Sequence, residues 1–131
     1  MQAEALDAEW PVIEEVEAYE EGTMELWDEI KKLEGKVLKT LDRGKSFEVV
    51  VVLNSSVIVK PLSTKKERVI PREQIEGAFH QLISSDQITQ REIEAQHSPR
   101  NPVYVAAILA ELPDVTHTIR PIVLYHQSDK K

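Results

Sequence analysis

Residues 37–71 read VLKTLDRGKSFEVVVVLNSSVIVKPLSTKKERVIP, and this stretch decides the fold. In it, short runs rich in β-branched residues alternate with clusters of turn-forming residues, which is typical of strands joined by tight turns. Strands are predicted at 37–41, 47–53, 57–59 and 68–70. Because such short connections join antiparallel neighbours, the pattern predicts an antiparallel β meander. The run from Val49 to Leu53 has no polar alternation and is predicted to be buried on both faces.

Apolar residues with helical spacing flank the meander on both sides. Before it, Pro11 and Gly22 bound one predicted helix, and Thr23 is predicted to cap a second helix that ends before Gly35. After it, helices are predicted at 71–84, at 89–96 and at 102–112, followed by a strand at 119–125 that contains Pro121. Proline confines a strand to a sheet edge. The predicted fold class is α+β, an antiparallel β meander with packed helices in a winged-helix-like arrangement.

The start of one helix is marked with particular clarity. Thr89 and Glu92 have the spacing of a capping box, in which each side chain bonds the backbone N–H of the other residue. Ile88 and Ile93 on either side have the spacing of a hydrophobic staple. These two signals predict a short helix that begins directly after Thr89.

Length and composition predict one domain in the cytoplasm. The chain has 131 residues, 41% of them hydrophobic, which suffices for one core of ordinary density. We expect an acidic, partly helical N-terminal segment at 1–22, a single domain at 23–126 and a flexible tail at 127–131. The absence of Cys argues against a secreted disulfide scaffold. No apolar stretch is long enough to span a bilayer, and the acidic N-terminus differs from a signal peptide, so no membrane partner is predicted.

Charge divides the chain into two electrostatic parts. Residues 1–30 contain 11 of the 23 acidic side chains and no Lys or Arg, and therefore carry −11. Residues 36–72 contain nine basic and three acidic side chains, and therefore carry +6. The formal net charge of −7 hides this division. An acidic helix that covers the basic segment, or that docks on a basic partner, is one interpretation; a solvated acidic face is the other.

The sequence contains none of the common catalytic signatures. It has no Gly-rich phosphate loop, no Gly-x-Ser-x-Gly elbow, no His-Glu-x-x-His helix and no Cys nucleophile. The four histidines lack the short spacing of paired metal ligands. We therefore predict a protein that is not an enzyme, with no cofactor and no metal site.

The basic segment carries the hypothesis of nucleic-acid binding. Lys65, Lys66, Arg68 and Arg72 surround one predicted hairpin tip, next to a predicted helix-turn-helix formed by residues 71–84 and 89–96. On that prediction the second helix faces the major groove, although Glu92 and Glu94 oppose phosphate contact. The residues predicted to contact nucleic acid are Lys45, Lys65, Lys66, Arg68, Arg72, Arg91 and Arg100. The alternative is that these side chains merely keep turns and a sheet face solvated.

The order of several motifs is similar to that of one known module. The motifs are LEGKVLKTL at 33–41, TKKERVIP at 64–71 and RNPVYVAAILAELP at 100–113. The chain resembles the N-terminal head domain of McrA-type modification-dependent HNH restriction endonucleases, over roughly residues 26–115. Asn101 departs from the family's basic pair and Asp114 from its usual glycine. The resemblance implies a stand-alone accessory module of a DNA-processing system, without the nuclease and modified-base-reading domains.

Two functions stay open on sequence grounds. One is a non-enzymatic module that contacts DNA through its basic segment, with access modulated by the acidic segment. The other is a protein–protein interaction or adaptor domain, in which the charged faces serve docking or homodimer formation. Under either function, the predicted core consists of Ile30, Val50, Val52, Phe79, Leu82, Tyr104, Ile108 and Leu109.

Overall fold

The first half of the fold is a helix followed by a four-stranded sheet. A computed structural model describes residues 21–127, with side chains from Leu26 onward. The elements are α1 (Glu21–Lys31), β1 (Val37–Lys39), β2 (Ser46–Val52), β3 (Ser56–Pro61) and β4 (Arg68–Pro71). The strands pair antiparallel in the order β1-β2-β3-β4. The predicted meander is thus confirmed, because each turn cluster in the sequence does reverse the chain.

Strand β2 is not buried on both faces as its run of valines predicts. Val49 and Val52 are buried, whereas Val50 and Val51 between them are only half-buried. The register with β3 shifts between Val49 and Val51, as in a β-bulge. A bulge places one additional residue in the strand and reverses the alternation of side chains beyond it. Val50 therefore lies outside the core that was predicted to include it.

The second half combines three helices with a second sheet. Its elements are α2 (Arg72–Ser85), β5 (Gln87–Thr89), α3 (Gln90–Gln96), α4 (Pro102–Ala110), β6 (Val115–Ile119) and β7 (Ile122–His126). The three strands pair antiparallel in the order β5-β7-β6. The single strand predicted at 119–125 is wrong, since Pro121 lies in the turn between two strands. Strand β7 is central in its sheet, so its position is also not the predicted edge.

Residues 71–84 and 89–96 were predicted to form a helix-turn-helix, but a turn alone does not join these two helices. Strand β5 separates the two helices, and α3 packs against α4 and β5. Helix α2 packs against β5 and α4. The helix pair joined by a short loop is instead α3 and α4, which the β6–β7 hairpin follows.

The N-terminal end of the described region differs in part from the sequence prediction. Gly22 and Thr23 lie inside α1, so the predicted cap at Thr23 is not the start of that helix. The helix predicted from Pro11 lies outside the described residues. None of the helices within residues 21–127 is both long and apolar enough to cross a membrane.

The capping box at Thr89 is confirmed. The backbone N–H of Glu92 donates to Thr89 Oγ1 over 3.0 Å, and the backbone N–H of Thr89 donates to Glu92 Oε1 over 3.0 Å. Ile88 and Ile93 are both fully buried beside it. The two reciprocal bonds satisfy backbone donors that a helix start would otherwise leave unpaired.

Nearly all buried apolar residues of the two halves form one cluster. It includes most of the predicted core: Ile30, Val52, Leu82, Ile108 and Leu109 are buried, and Phe79 and Tyr104 are partly buried against them. Helix α4 lies at its centre, with all five residues from Val105 to Leu109 buried. Both sheets and all four described helices are thereby held on a common core.

Candidate functional site

The two ends of the four-stranded sheet have different chemistry. The connections 40–45 and 62–67 lie at one end and the connection 53–55 lies at the other, because successive antiparallel strands reverse direction. We call residues 39–46 and 60–68 the basic end. It carries seven basic side chains, Lys39, Arg43, Lys45, Lys60, Lys65, Lys66 and Arg68, against Asp42 and Glu67.

Backbone and hydroxyl hydrogen bonds fix the two connections of the basic end. Thr40 accepts the Lys45 N–H on its Oγ1 over 3.1 Å, and its own N–H donates to the Lys45 carbonyl over 3.0 Å. The N–H of Leu62 donates to the carbonyl of Ser46 over 3.1 Å, which ties the second connection to the first. The turn residues are therefore held in place by the sheet.

A cleft of about 350 Å³ opens between these connections and the start of α4. Four basic side chains and one acidic side chain line it, together with hydroxyl groups and one aromatic ring. The lining residues are Thr40, Asp42, Arg43, Lys45, Ser46, Pro61, Ser63, Thr64, Lys66, Arg68, Val103 and Tyr104. Basic groups from two parts of the chain about 20 residues apart thus face one concave surface.

Arg68 makes two contacts, one with a residue of α4 and one with the residue directly before that helix. Its Nη1 donates to Asn101 Oδ1 over 3.2 Å, and its guanidinium carbon lies 5.8 Å from the centroid of the Tyr104 ring. The Tyr104 ring in turn meets Phe47 edge-on, with 4.9 Å between ring centroids. Because Phe47 is fully buried, this chain of contacts connects Arg68 to the core. A guanidinium fixed in this way is prepared to form paired hydrogen bonds to an oxyanion.

The charge of the cleft is not neutralised by its neighbours. Among the described side chains, the ion pairs are Lys32 with Glu29 and Arg72 with Glu76, and neither includes a residue that lines the cleft. The first turn of α4 contributes Val103 and Tyr104 to the cleft wall. A helix N-terminus carries partial positive charge, so it reinforces the attraction of the cleft for anions.

Three of the seven predicted contact residues line this cleft: Lys45, Lys66 and Arg68. Lys65 is exposed in the same connection and has a φ of 58°, in the left-handed region. Arg91 is exposed on α3 and Arg100 is exposed beside Asn101, and neither lines the cleft. The structure therefore brings together Lys45, Lys66 and Arg68 of the meander, and it places Arg91 and Arg100 outside the cleft.

Arg72 is engaged at the opposite end of the sheet. Its guanidinium carbon lies 4.4 Å from the centroid of the Trp27 ring. Its Nε donates to Glu76 over 2.8 Å and its Nη1 donates to the carbonyl of Asn54 over 2.9 Å. With these three contacts made, Arg72 acts as a packing residue and not as part of the cleft.

Among the cleft residues that were missing from the predicted contact set are one arginine and the one aromatic residue of the lining. Arg43 occupies the turn of sequence Asp42-Arg43-Gly44-Lys45, whose composition could have suggested it together with Lys45. Tyr104 was assigned to the core from its helical spacing, and it is only partly buried. Its place at the cleft depends on how α4 packs across the sheet, which no local pattern encodes.

The histidines do not add a second site. Burial lowers the pKa of His97 below its usual value of 6.5, and the negative charge of Glu92 opposes this shift. His97 Nε2 lies 2.7 Å from Gln81 Oε1, between the end of α3 and helix α2. No group of three or more His, Asp and Glu side chains within residues 26–127 is placed to hold a metal ion.

Comparison with protein-family models, with curated proteins and with solved structures finds no match to this chain. The similarity to the head domain of McrA-type restriction endonucleases thus stays a prediction from the three motifs.

Proposed function

We propose that this protein is a non-enzymatic module that binds nucleic acid through the cleft at the basic end. The convergence of Arg43, Lys45, Lys66 and Arg68 on one concave surface carries the proposal. Nucleic-acid affinity comes largely from phosphate contacts made by such side chains. A volume of about 350 Å³ is at the small end of ligand pockets, which suits a nucleotide-sized part of a strand.

The cleft favours contact with the nucleic-acid backbone over reading of base edges. In a helix-turn-helix, the second helix presents an exposed face to the major groove. Helix α4 is the second helix of the α3–α4 pair, but its residues from Val105 to Leu109 are buried. Phosphate contacts position a protein without selecting a sequence. We therefore expect binding that depends strongly on salt and weakly on sequence.

The motif resemblance supports a place for this module in a DNA-processing system. It extends over the meander and α4, the two parts that form the cleft. It supplies no nuclease activity, so the proposed contribution is to hold DNA, in the cytoplasm, while another component acts on it. The acidic N-terminal segment at 1–22, which contains eight acidic side chains and no Lys or Arg, would lower the affinity by its negative charge.

The test is a binding titration of the full chain with single-stranded and duplex DNA at roughly 50 and 200 mM salt, conditions between which several phosphate contacts change affinity by orders of magnitude. The double variant Lys45→Glu with Lys66→Glu should lose binding. The matched control, Arg91→Glu with Arg120→Glu, makes the same change in net charge on exposed residues outside the cleft. It should retain most of the affinity.

The control also separates two ways of binding DNA. Arg120 lies in the turn of the β6–β7 hairpin, and Arg91 lies on α3. If the control loses binding and the cleft variant keeps it, the contact is made as in a winged helix and the cleft is not the site. If the wild-type protein ignores both DNAs at the lower salt, nucleic-acid binding is excluded and a protein partner takes its place.

One observation favours that second candidate, a protein–protein interaction domain. Val51, Ile58 and Val69 are paired neighbours across β2, β3 and β4. Val69 is 58% exposed and the other two are half-buried, so they form an apolar strip on the sheet. Replacing Val69 and Ile58 with Lys should abolish association with a protein partner or a second copy, which size-exclusion chromatography with light scattering measures.

A further inference from the structure

Two planar side chains, Arg68 and Tyr104, lie together in the wall of the basic cleft. Both line the cleft, and the guanidinium carbon of Arg68 lies 5.8 Å from the centroid of the Tyr104 ring. The other basic side chains of the lining, Arg43, Lys45 and Lys66, come from the two connections. Phosphate binding accounts for the basic side chains but not for an aromatic ring beside them. The ring has either a ligand group of its own or a role in packing alone.

Packing explains only part of the position of Tyr104. Its ring meets Phe47 edge-on, with 4.9 Å between the ring centroids, and such aromatic pairs stabilise a fold. Phe47 is fully buried, and so are the residues of α4 from Val105 to Leu109 that follow Tyr104. Tyr104 is only partly buried, and it lines the cleft. Part of its surface therefore belongs to the cleft, while the contact with Phe47 fixes the orientation of the ring.

Asn101 holds the guanidinium of Arg68 beside that ring. Asn101 is buried directly before α4, and its Oδ1 accepts from Arg68 Nη1 over 3.2 Å. An Asn at this position usually caps the helix by accepting from a backbone N–H, but this side chain makes no such bond. Its amide oxygen is bonded to Arg68 instead. Because Asn is neutral, the guanidinium keeps its positive charge and a fixed plane.

A nucleotide base is the ligand group that matches this pair. Bases stack on aromatic rings and on Arg guanidinium planes. Proteins that bind single strands combine such stacking with a positively charged groove that follows the backbone. The cleft contains both parts, since Arg43, Lys45 and Lys66 provide charge and the pair of Arg68 and Tyr104 provides planar surface.

A base contact in this cleft excludes an intact duplex. In a duplex the bases are stacked and paired, so a base enters a pocket only after it has been turned out of the helix, which costs free energy. The bases of a single strand are already accessible. The cleft volume of about 350 Å³ has room for one nucleotide-sized group. A single strand can therefore place a base and its phosphates in the cleft, whereas a duplex offers phosphates alone.

We infer that the cleft binds single-stranded nucleic acid, with one base stacked on the planar pair of Arg68 and Tyr104. The adjoining phosphates contact Arg43, Lys45 and Lys66. Stacking accepts any base, so this contact adds affinity without adding sequence preference. The inference rests on the proposed function, since phosphate contacts bring the strand to the cleft, and it assigns to Tyr104 a direct contact with the ligand.

The anisotropy of a fluorescent label on three DNA probes tests this contact in the full chain at roughly 50 mM salt. The probes are a single strand of about 12 nucleotides, the duplex with its complement, and an abasic strand that has the same phosphates and no bases. The single strand should bind about tenfold more tightly than either other probe. Tyr104→Leu keeps an apolar side chain against Phe47 without an aromatic plane. It should lower affinity for the single strand about tenfold and leave affinity for the abasic strand unchanged, whereas Tyr104→Phe should bind like the natural protein.

The outcomes separate the base contact from the proposed function. If the abasic strand or the duplex binds as tightly as the single strand, the cleft holds phosphates alone; the base contact is then wrong and the proposed function stands. If none of the three probes binds, both are wrong. The comparison of probes uses the natural protein, so it decides the question even if Tyr104→Leu does not fold, which circular dichroism shows. A folded Tyr104→Leu variant with full affinity for the single strand would also contradict the stacking.

Discussion

The two ends of the four-stranded sheet use the same residue types in opposite ways. At the end that contains the connection 53–55, Trp27 donates from Nε1 to the carbonyl of Leu53 over 2.9 Å, and Arg72 covers its ring. At the basic end, Arg68 also lies near an aromatic ring, that of Tyr104, but it borders an open cleft. One end is closed by its own side chains, and the other leaves its positive charge available.

The two arginines lie at the two ends of one short strand, because β4 spans the four residues from Arg68 to Pro71 and Arg72 follows it. They differ in the partners that each of them contacts. Arg72 has a carboxylate at helical spacing, Glu76, and a backbone carbonyl, so its hydrogen bonds are made within the protein. Arg68 has one neutral partner, Asn101. A cation with a satisfied charge stabilises the fold, and a cation with a neutral partner retains its attraction for an external anion.

The largest effect is expected at the closed end, for Trp27→Ala. Trp27 is 4% exposed, so the substitution removes a buried aromatic side chain, its hydrogen bond to Leu53 and the surface under Arg72. Truncation of buried aromatic residues costs about 3–5 kcal/mol. Urea denaturation measures the loss, and Trp27→Phe, which keeps most of the packing, should lose much less. A loss below about 1 kcal/mol would place Trp27 outside the cooperative core.

A second prediction concerns the arginine over that ring. Arg72→Ala removes the contact with Trp27, the ion pair with Glu76 and the bond to Asn54. Because the pair is partly exposed, we expect a loss of about 1–2 kcal/mol. Arg72→Lys keeps the charge but not the planar donor set, so it should recover only part of this loss. Full recovery by Lys would mean that charge alone matters at the closed end.

The two ends of the sheet also show which features of the structure could be predicted from the sequence and which could not. The meander was predictable, because turn clusters such as Asn54-Ser55-Ser56 encode chain reversals locally. Basic residues in two turns at one end were also predictable. The role of Arg72 was not, because it depends on Trp27, which is 45 positions away. Strands β5 and β6 were missed, since three residues or a polar run such as Val115–Ile119 give a weak periodic signal.

A third prediction concerns the contact between α2 and the end of α3, where His97 lies. Burial lowers the folded pKa of His97 below its unfolded value of 6.5, so the unfolded state binds more protons near that pH. The stabilisation is complete above pH 6.5 and is lost as the pH falls toward the folded pKa. His97→Gln should flatten this part of the stability profile between about pH 7.5 and 5.5. An unchanged profile in this variant would contradict the assignment to His97.

The smallest change in stability is expected for Arg68→Ala, at the open end. Arg68 is exposed overall, and surface substitutions usually change stability by less than about 0.5 kcal/mol. Its effect should appear in DNA binding, because loss of one phosphate contact reduces the slope of log affinity against log salt by about one.

Arg72→Ala is the matched control, since it removes the same charge from the closed end of the same sheet. The two variants should therefore have opposite phenotypes. Arg68→Ala should keep its stability and lose salt-dependent affinity for DNA. Arg72→Ala should lose stability and keep the slope of log affinity against log salt. This comparison removes net charge as an explanation, because both proteins change from −7 to −8. Equal salt slopes in the two variants would show that the cleft holds no phosphate through Arg68. The open and the closed end would then differ in shape but not in function.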